Sequence, residues 1–336
     1  MLRHRLLLLS LLLTGCAGVA TAQTSRDFTL RYAFTVKNVP EGQKLRIWFP
    51  ISHSDSFQQV HAVTESGDLP LKKTRESKHG NEMYYAEISK SKQPDYHFEI
   101  VYDVLRNERV TLGVSTPHLA DVKLSDREKK MDLASSTLVP TTGLPADLAR
   151  KVTQGQTTQL AKARAIYDYV FANMKYDKSG TGWGHGDVMY ACSAKKGNCT
   201  DFHSLFIAMA RSQGIPARFE IGFPLPADKT SGEIPGYHCW AEFFEPKHGW
   251  IPVDISEAWK HQEKKDYFFG AHDANRVQFT MGRDLELNPK QDGPPLNYFI
   301  YPYVEVDGKE YPNVSDDFSF ADSGAAEKET SASTPQ

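Results

Sequence analysis

Residues 197–222 read GNCTDFHSLFIAMARSQGIPARFEIG. Asn198 is a preferred helix N-cap, Cys199 then falls at the first helical position, and Asp201 at the third completes a capping arrangement. Phe202, Leu205, Phe206 and Met209 recur at three and four, the spacing of a buried helical stripe. Gly214 suits the helix end, and Ile215-Pro216 forbids continuation. Ala217 to Phe223 then alternates as a strand. A helix that starts on a cysteine and runs straight into a strand predicts a mixed α and β core. The cysteine itself reads three ways: a nucleophile, a metal ligand or a small buried apolar side chain. Unpaired N–H groups and the positive end of the helix dipole favour its thiolate. Asp201 works against the thiolate unless it turns away, and the backbone N–H of Cys199 is placed to donate to an oxyanion.

A nucleophilic thiol needs a base, and the base needs an orienting group. Of the 12 histidines, His238 is the informative one. It opens HCWAEFFEPKHGWIPVD, residues 238–254, in which two alternating strands flank a turn from Glu245 to Gly249. If that turn holds five residues, Phe244 faces Trp250 and Trp240 faces Asp254. His238 and Asp254 then lie on one sheet face as diagonal neighbours. A four-residue turn without a bulge would separate them to opposite faces.

Together these two segments resemble the transglutaminase-like superfamily, distant relatives of papain-type proteases. The shared pattern is Gly-x-Cys, an apolar helix, Arg-x-x-Gly-Ile-Pro-Ala-Arg, His-x-Trp-x-Glu, Gly-Trp and Asp, over roughly residues 155–260. The resemblance implies an α+β fold, a papain-like transglutaminase core preceded by an N-terminal β-sandwich. It implies that Cys199 takes an acyl group from an amide, that His238 moves the thiol proton to the leaving amine, and that Asp254 orients His238. The substrates implied are protein or peptide amides, attacked through a thioester. An amine acceptor makes such an enzyme a transferase, and water makes it a protease or amidase. No cofactor is implied, and no EF-hand-type loop is present. A scaffold protein with a degenerate core is the competing class, but none of the three residues is lost.

The remaining sequence supplies context. At 336 residues the chain is long enough for two ordinary domains. Its net charge of −3 and lack of a basic stripe give no support to nucleic-acid binding. Residues 1–22 read as an export signal: Arg3, His4 and Arg5 precede an apolar stretch, Leu6 to Leu13, too short to span a bilayer. Leu13-Thr14-Gly15-Cys16 resembles a bacterial lipobox, and Ala20-Thr21-Ala22 resembles an ordinary cleavage site. Either way the protein is expected outside the cytoplasm, in the periplasm or envelope, with membrane contact only through a lipid at Cys16.

Alternating strands at Phe28–Val36, Leu45–Phe49, Met83–Ile88 and Phe98–Val104 predict a β-sandwich over residues 24–115. Residues 116–156 read as a linker and the start of the core, and 157–275 as the catalytic domain, opening on a helix capped by Thr157 or Thr158. Residues 276–314 read as C-terminal strands with a turn at Asp307-Gly308, and 315–336 as a tail too polar to fold.

Three mature cysteines, Cys192, Cys199 and Cys239, cannot all pair within one chain. A Cys192–Cys239 disulfide would leave Cys199 free, and strand alternation turns Cys239 away from the face of His238; no Cys/His spacing suggests a structural metal site. Trp183, in the glycine-rich loop 180–186, is a candidate donor to substrate or an aromatic closing the loop onto the core. Trp240, Glu242 and Trp250 suit hairpin packing. His203, four residues after Cys199, stands where the family usually has a small residue; it reads as a hydrogen-bonded histidine or one that tunes the thiol.

Overall fold

The computed structural model describes residues 24–113 and 121–323. The expected signal segment, with both of its candidate processing sites, and residues beyond 323 lie outside them. Among the described residues, three antiparallel sheets of four or five strands and a group of helices share one continuous apolar core.

The first sheet is built on the strand Ser25–Val36, whose Phe28, Leu30, Tyr32, Phe34 and Val36 point inward at the expected period of two. One edge pairs with Tyr96–Asn107, followed by Gln58–Gly67. Its other edge pairs with Val314–Asp322, with Ser231–Glu233 beyond. The second sheet runs Lys309–Glu310, Tyr303–Val306, Leu45–Pro50, Glu82–Ile88 and Lys72–Arg75. The two sheets meet through Phe34, Phe49 and Phe98, with ring centroids 5.0 Å apart for Phe34–Phe49 and 5.1 Å for Phe34–Phe98. The far face of Leu45–Pro50 is covered too, by Leu285, Leu287, Phe299 and Tyr303 around Trp48.

Two expectations change here. Residues 315–322 join the fold as a central strand pairing Phe318 with Tyr32 and Phe320 with Leu30. Average composition hid two phenylalanines at period two, and period rather than mean polarity decides a half-buried strand. Nor do the sheets close within residues 24–115, because strands from 231 onward complete both. Phe223 and Phe279 of the third, four-stranded sheet pack 5.3 Å apart and reach Tyr32 and Phe318, so one core runs through the whole.

This third sheet has the order Gly249–Val253, His238–Glu245, Ala217–Pro224, Arg276–Met281. The helix Cys199–Ser212 packs on its strand His238–Glu245 and is covered on other sides by helices Leu144–Val152 and Gln159–Asn173. Every residue from Cys199 to Ala210 is buried, so this helix is surrounded rather than half exposed as its stripe suggested. Thr158 caps Gln159–Asn173 through the N–H of Ala161. Part of the expected linker is also ordered core: Asp126–Leu133 and Leu144–Val152 are helices, and the second packs on the cysteine helix.

Candidate active site

Local sequence sets the start of the cysteine helix. The Asn198 side chain accepts from the N–H of Thr200 at 2.9 Å, and Asp201 accepts from the N–H of Asn198 at 2.9 Å, a reciprocal capping box. Asp201 also accepts from the N–H groups of Gly184 (2.7 Å) and Gly186 (3.0 Å), so its fully buried carboxylate faces the glycine-rich loop. Gly197 is required here, since a Cβ on it would lie 2.1 Å from Asp201 Oδ2. Replacing Asp201 with alanine strands the buried N–H groups of Asn198 and Gly186 and the partly buried one of Gly184. We expect a loss of about 2–4 kcal/mol in denaturant unfolding and faster amide exchange at Gly184 and Gly186.

The hairpin has the register that the turn length demanded. Phe244 faces Trp250, Glu245 faces Gly249 and Ala241 faces Val253. His238 and Asp254 thereby meet, Nε2 to Oδ2, at 2.7 Å, with His238 only 4% exposed and Asp254 fully buried. Asp254 also caps the helix Ile255–Lys260: Oδ1 accepts from the N–H of Glu257 (3.1 Å) and the hydroxyl of Ser256 (3.2 Å). Cys199 is 2% exposed, and its thiol and the His238 ring interact electrostatically. With Nε2 engaged by the carboxylate, Nδ1 is the nitrogen left for the thiol.

The electrostatics favour an ion pair. Burial opposes ionisation of Cys199, but hydrogen bonds with Cys239 and His238 and the imidazolium charge outweigh it and hold the thiol well below its ordinary range. For His238, burial again opposes the charge, and the Asp254 carboxylate and the Cys199 thiolate overcome it, raising the imidazole to about 10. Asp254 is held well below the carboxylate range against its own burial by His238 and Arg276.

Arg276 escaped the sequence reading. Its buried guanidinium donates to Asp254 Oδ2 at 2.8 Å and lies 5.0 Å above the Trp240 ring. It sits one residue past the expected end of the catalytic segment, and an arginine opening a strand carries no distinguishing pattern. Trp240 packs 6.0 Å from the His238 ring and donates its indole N–H to Glu220 at 2.7 Å. Glu242 pairs with Arg109 and Arg218, and Arg218 stacks 4.1 Å over Trp250. Trp240, Glu242 and Trp250 thus brace the hairpin, as their spacing suggested.

Other expectations resolve differently. Cys192 and Cys239 are both free, and Cys239 faces the cysteine helix, where its thiol donates to Thr200 Oγ1 at 3.6 Å. That side of the strand is the one the helix covers, so alternation carries Cys239 into the site rather than away from it. Trp183 is half-buried and its indole N–H is taken by the Gly180 carbonyl at 3.1 Å, which favours the loop-closing reading. His203 is fully buried beside Asp254, its Nε2 3.7 Å from Oδ1.

Residues 146–255 match the family model described as the Transglutaminase-like superfamily. An uncharacterized protein of Haemophilus influenzae is 30% identical over 342 residues, spanning 88% of this chain and 92% of its own. The uncharacterized protein YebA of Bacillus subtilis is 30% identical over 121 residues, 32% of this chain and 16% of YebA. Among solved structures, a protein of Cytophaga hutchinsonii assigned as a cysteine protease aligns with a TM-score of 0.53 at 15% identity, covering 89% of this chain and 98% of that one. The fold and its buried cysteine, histidine and aspartate define a cysteine-nucleophile enzyme. The chain belongs to the transglutaminase-like superfamily.

Proposed function

We propose that this protein is an exported enzyme that breaks amide bonds of protein or peptide substrates through a thioester on Cys199. The observation that carries the reading is the buried Cys199–His238–Asp254 line, with 2.7 Å between His238 Nε2 and Asp254 Oδ2. The thiolate attacks the amide carbonyl carbon, and the oxyanion that forms faces the N–H of Cys199 at the helix start. The His238 proton passes to the departing nitrogen as the C–N bond breaks, leaving the acyl group on sulfur. In the second half, His238 takes a proton from an incoming amine or water, the C–S bond breaks and the thiolate returns. Asp254 and Arg276 hold the imidazole throughout. The export signal read at residues 1–22 supports envelope or periplasmic substrates, with the mature chain either lipid-anchored at Cys16 or released by cleavage after Ala22.

The test is mass analysis of peptide libraries incubated with the protein, with and without an added primary amine. Amide cleavage products are expected from the wild type and not from Cys199→Ala. Incorporation of the amine identifies transfer, and water-only products identify hydrolysis. Absence of both, together with Cys199 alkylation by iodoacetamide no faster than that of a free thiol near neutral pH, would overturn the reading.

A further inference from the structure

His203 lies one helical turn beyond Cys199, and no solvent reaches it. The N–H of Ile255, the residue after Asp254, donates to its Nε2 at 3.0 Å. That nitrogen therefore carries a lone pair, and a neutral ring keeps its one proton on Nδ1. Nδ1 faces the other way, on the Cys199 and Cys239 side, and lies 4.0 Å from Cys239 Sγ. The ring thus touches all three elements that carry the candidate triad: the helix of Cys199, the strand of His238 and Cys239, and the turn of Asp254 and Ile255. The titratable groups around it are Cys199, Cys239, His238 and Asp254.

Neutrality is built into this arrangement. Burial, partly offset by Asp254 and Cys199, lowers the ring to about 4. A protonated ring would also have to surrender the Ile255 hydrogen bond, leaving that buried N–H without its acceptor. An alanine would leave the same N–H unpaired and open a cavity between the helix and the turn. The turn is where Asp254 receives its backbone bond from Glu257, so slack at Ile255 passes directly to the carboxylate that orients His238.

We propose that His203 is a positioning residue: as a neutral, Nδ1-protonated imidazole it ties the Cys199 helix to the Asp254 turn and so sets the distance across which the thiolate–imidazolium pair forms. This rests on the catalytic reading of Cys199, His238 and Asp254. It differs from a general base in that His203 touches no reacting atom, and from a plain core residue in that its removal changes the ionisation of Cys199.

The test follows the rate of Cys199 alkylation by iodoacetamide against pH, read by mass mapping of the Cys199 peptide. In His203→Ala the acid limb is expected to move upward by about one unit, because the imidazolium is less well held against the thiolate. Turnover on the peptides above is expected to fall about 10- to 100-fold in kcat, with KM little changed. His203→Gln, whose amide offers an acceptor to Ile255 and a donor on the Cys199 and Cys239 side, is expected to recover most of the wild-type pH profile. Nitrogen-15 spectra of the wild type supply a reading independent of any variant, and the proton is expected on Nδ1 at neutral pH.

A proton on Nε2, an alkylation profile in His203→Ala that superimposes on the wild type, or a glutamine variant no better than alanine would each overturn the proposal. These outcomes are separate from failure of the catalytic reading, in which wild-type Cys199 is itself unreactive.

Discussion

Cys199→Ala is expected to lower amide turnover by about 10⁴- to 10⁶-fold, the range seen when the nucleophile of a covalent mechanism is removed. The thiol is small and 2% exposed, and its helix is held by Asn198 and Asp201 rather than by sulfur. Unfolding is therefore expected to move by no more than about 1 kcal/mol. Cys199→Ser separates polarity from nucleophilicity: it keeps a hydrogen-bonding group beside His238 but offers a hydroxyl that stays protonated near neutral pH. It is expected to be as inactive as alanine. Calorimetry or denaturant titration beside the peptide assay checks both halves, and full activity in either variant would remove Cys199 from the mechanism.

Asp254→Asn is expected to lower turnover by about 10⁴-fold through the imidazole tautomer. The asparagine oxygen can still cap Ile255–Lys260 through the N–H of Glu257. Its NH₂ group then points at His238 Nε2 and donates to it, forcing the ring proton onto Nδ1, where it faces the thiol. A base with its lone pair turned away cannot accept the thiol proton. Arg276 loses the carboxylate it bonds at 2.8 Å and keeps only Asp273 at 3.5 Å, for a loss of about 2 kcal/mol in folding.

The pH dependence has a definite sign. In the wild type His238 is raised to about 10, so the stability of its protonated form is fully present below about 6.5 and is lost as pH rises through 10. The lowered Cys199 contributes the opposite limb: its stabilisation is fully present above the free-thiol range and is lost as pH falls through its folded value. Without the Asp254 charge the alkaline limb is expected to retreat toward an ordinary histidine. Thermal unfolding of both proteins across pH 6–11 checks this, and an unmoved alkaline limb would show that Asp254 does not hold the imidazolium.

The site was largely legible because its parts are local. A capping asparagine, a cysteine at the first helical position and an acid at the third define the helix start within four residues. Hairpin register then needs only the length of the turn, so a five-residue turn was enough to bring His238 and Asp254 to one face. What escaped depends on the fold. Arg276 comes from a strand that joins the site across the sheet, and a buried arginine becomes intelligible only beside the carboxylate it meets. Cys239 was read by alternation alone, and strand alternation does not say which face the helix covers. His203 looked unusual in sequence, but its meaning lies in the N–H of Ile255, 52 positions away. The closing strand, Val314–Asp322, was obscured by an average over polar residues.

That closing strand has a consequence for how the protein is made. It fills the edge of Ser25–Val36, so the first strand of the described chain waits for nearly the last before its edge is covered. Loop-closure entropy must be overcome before such a distant pairing rewards it, and chains rich in distant pairings fold slowly. Until residues 314–322 arrive, Ser25–Val36 keeps one row of backbone N–H and C=O groups open, a template for another chain. Assembly of the first sheet is therefore a late event, and a chain interrupted before residue 314 presents an uncovered edge next to a core already rich in aromatic side chains.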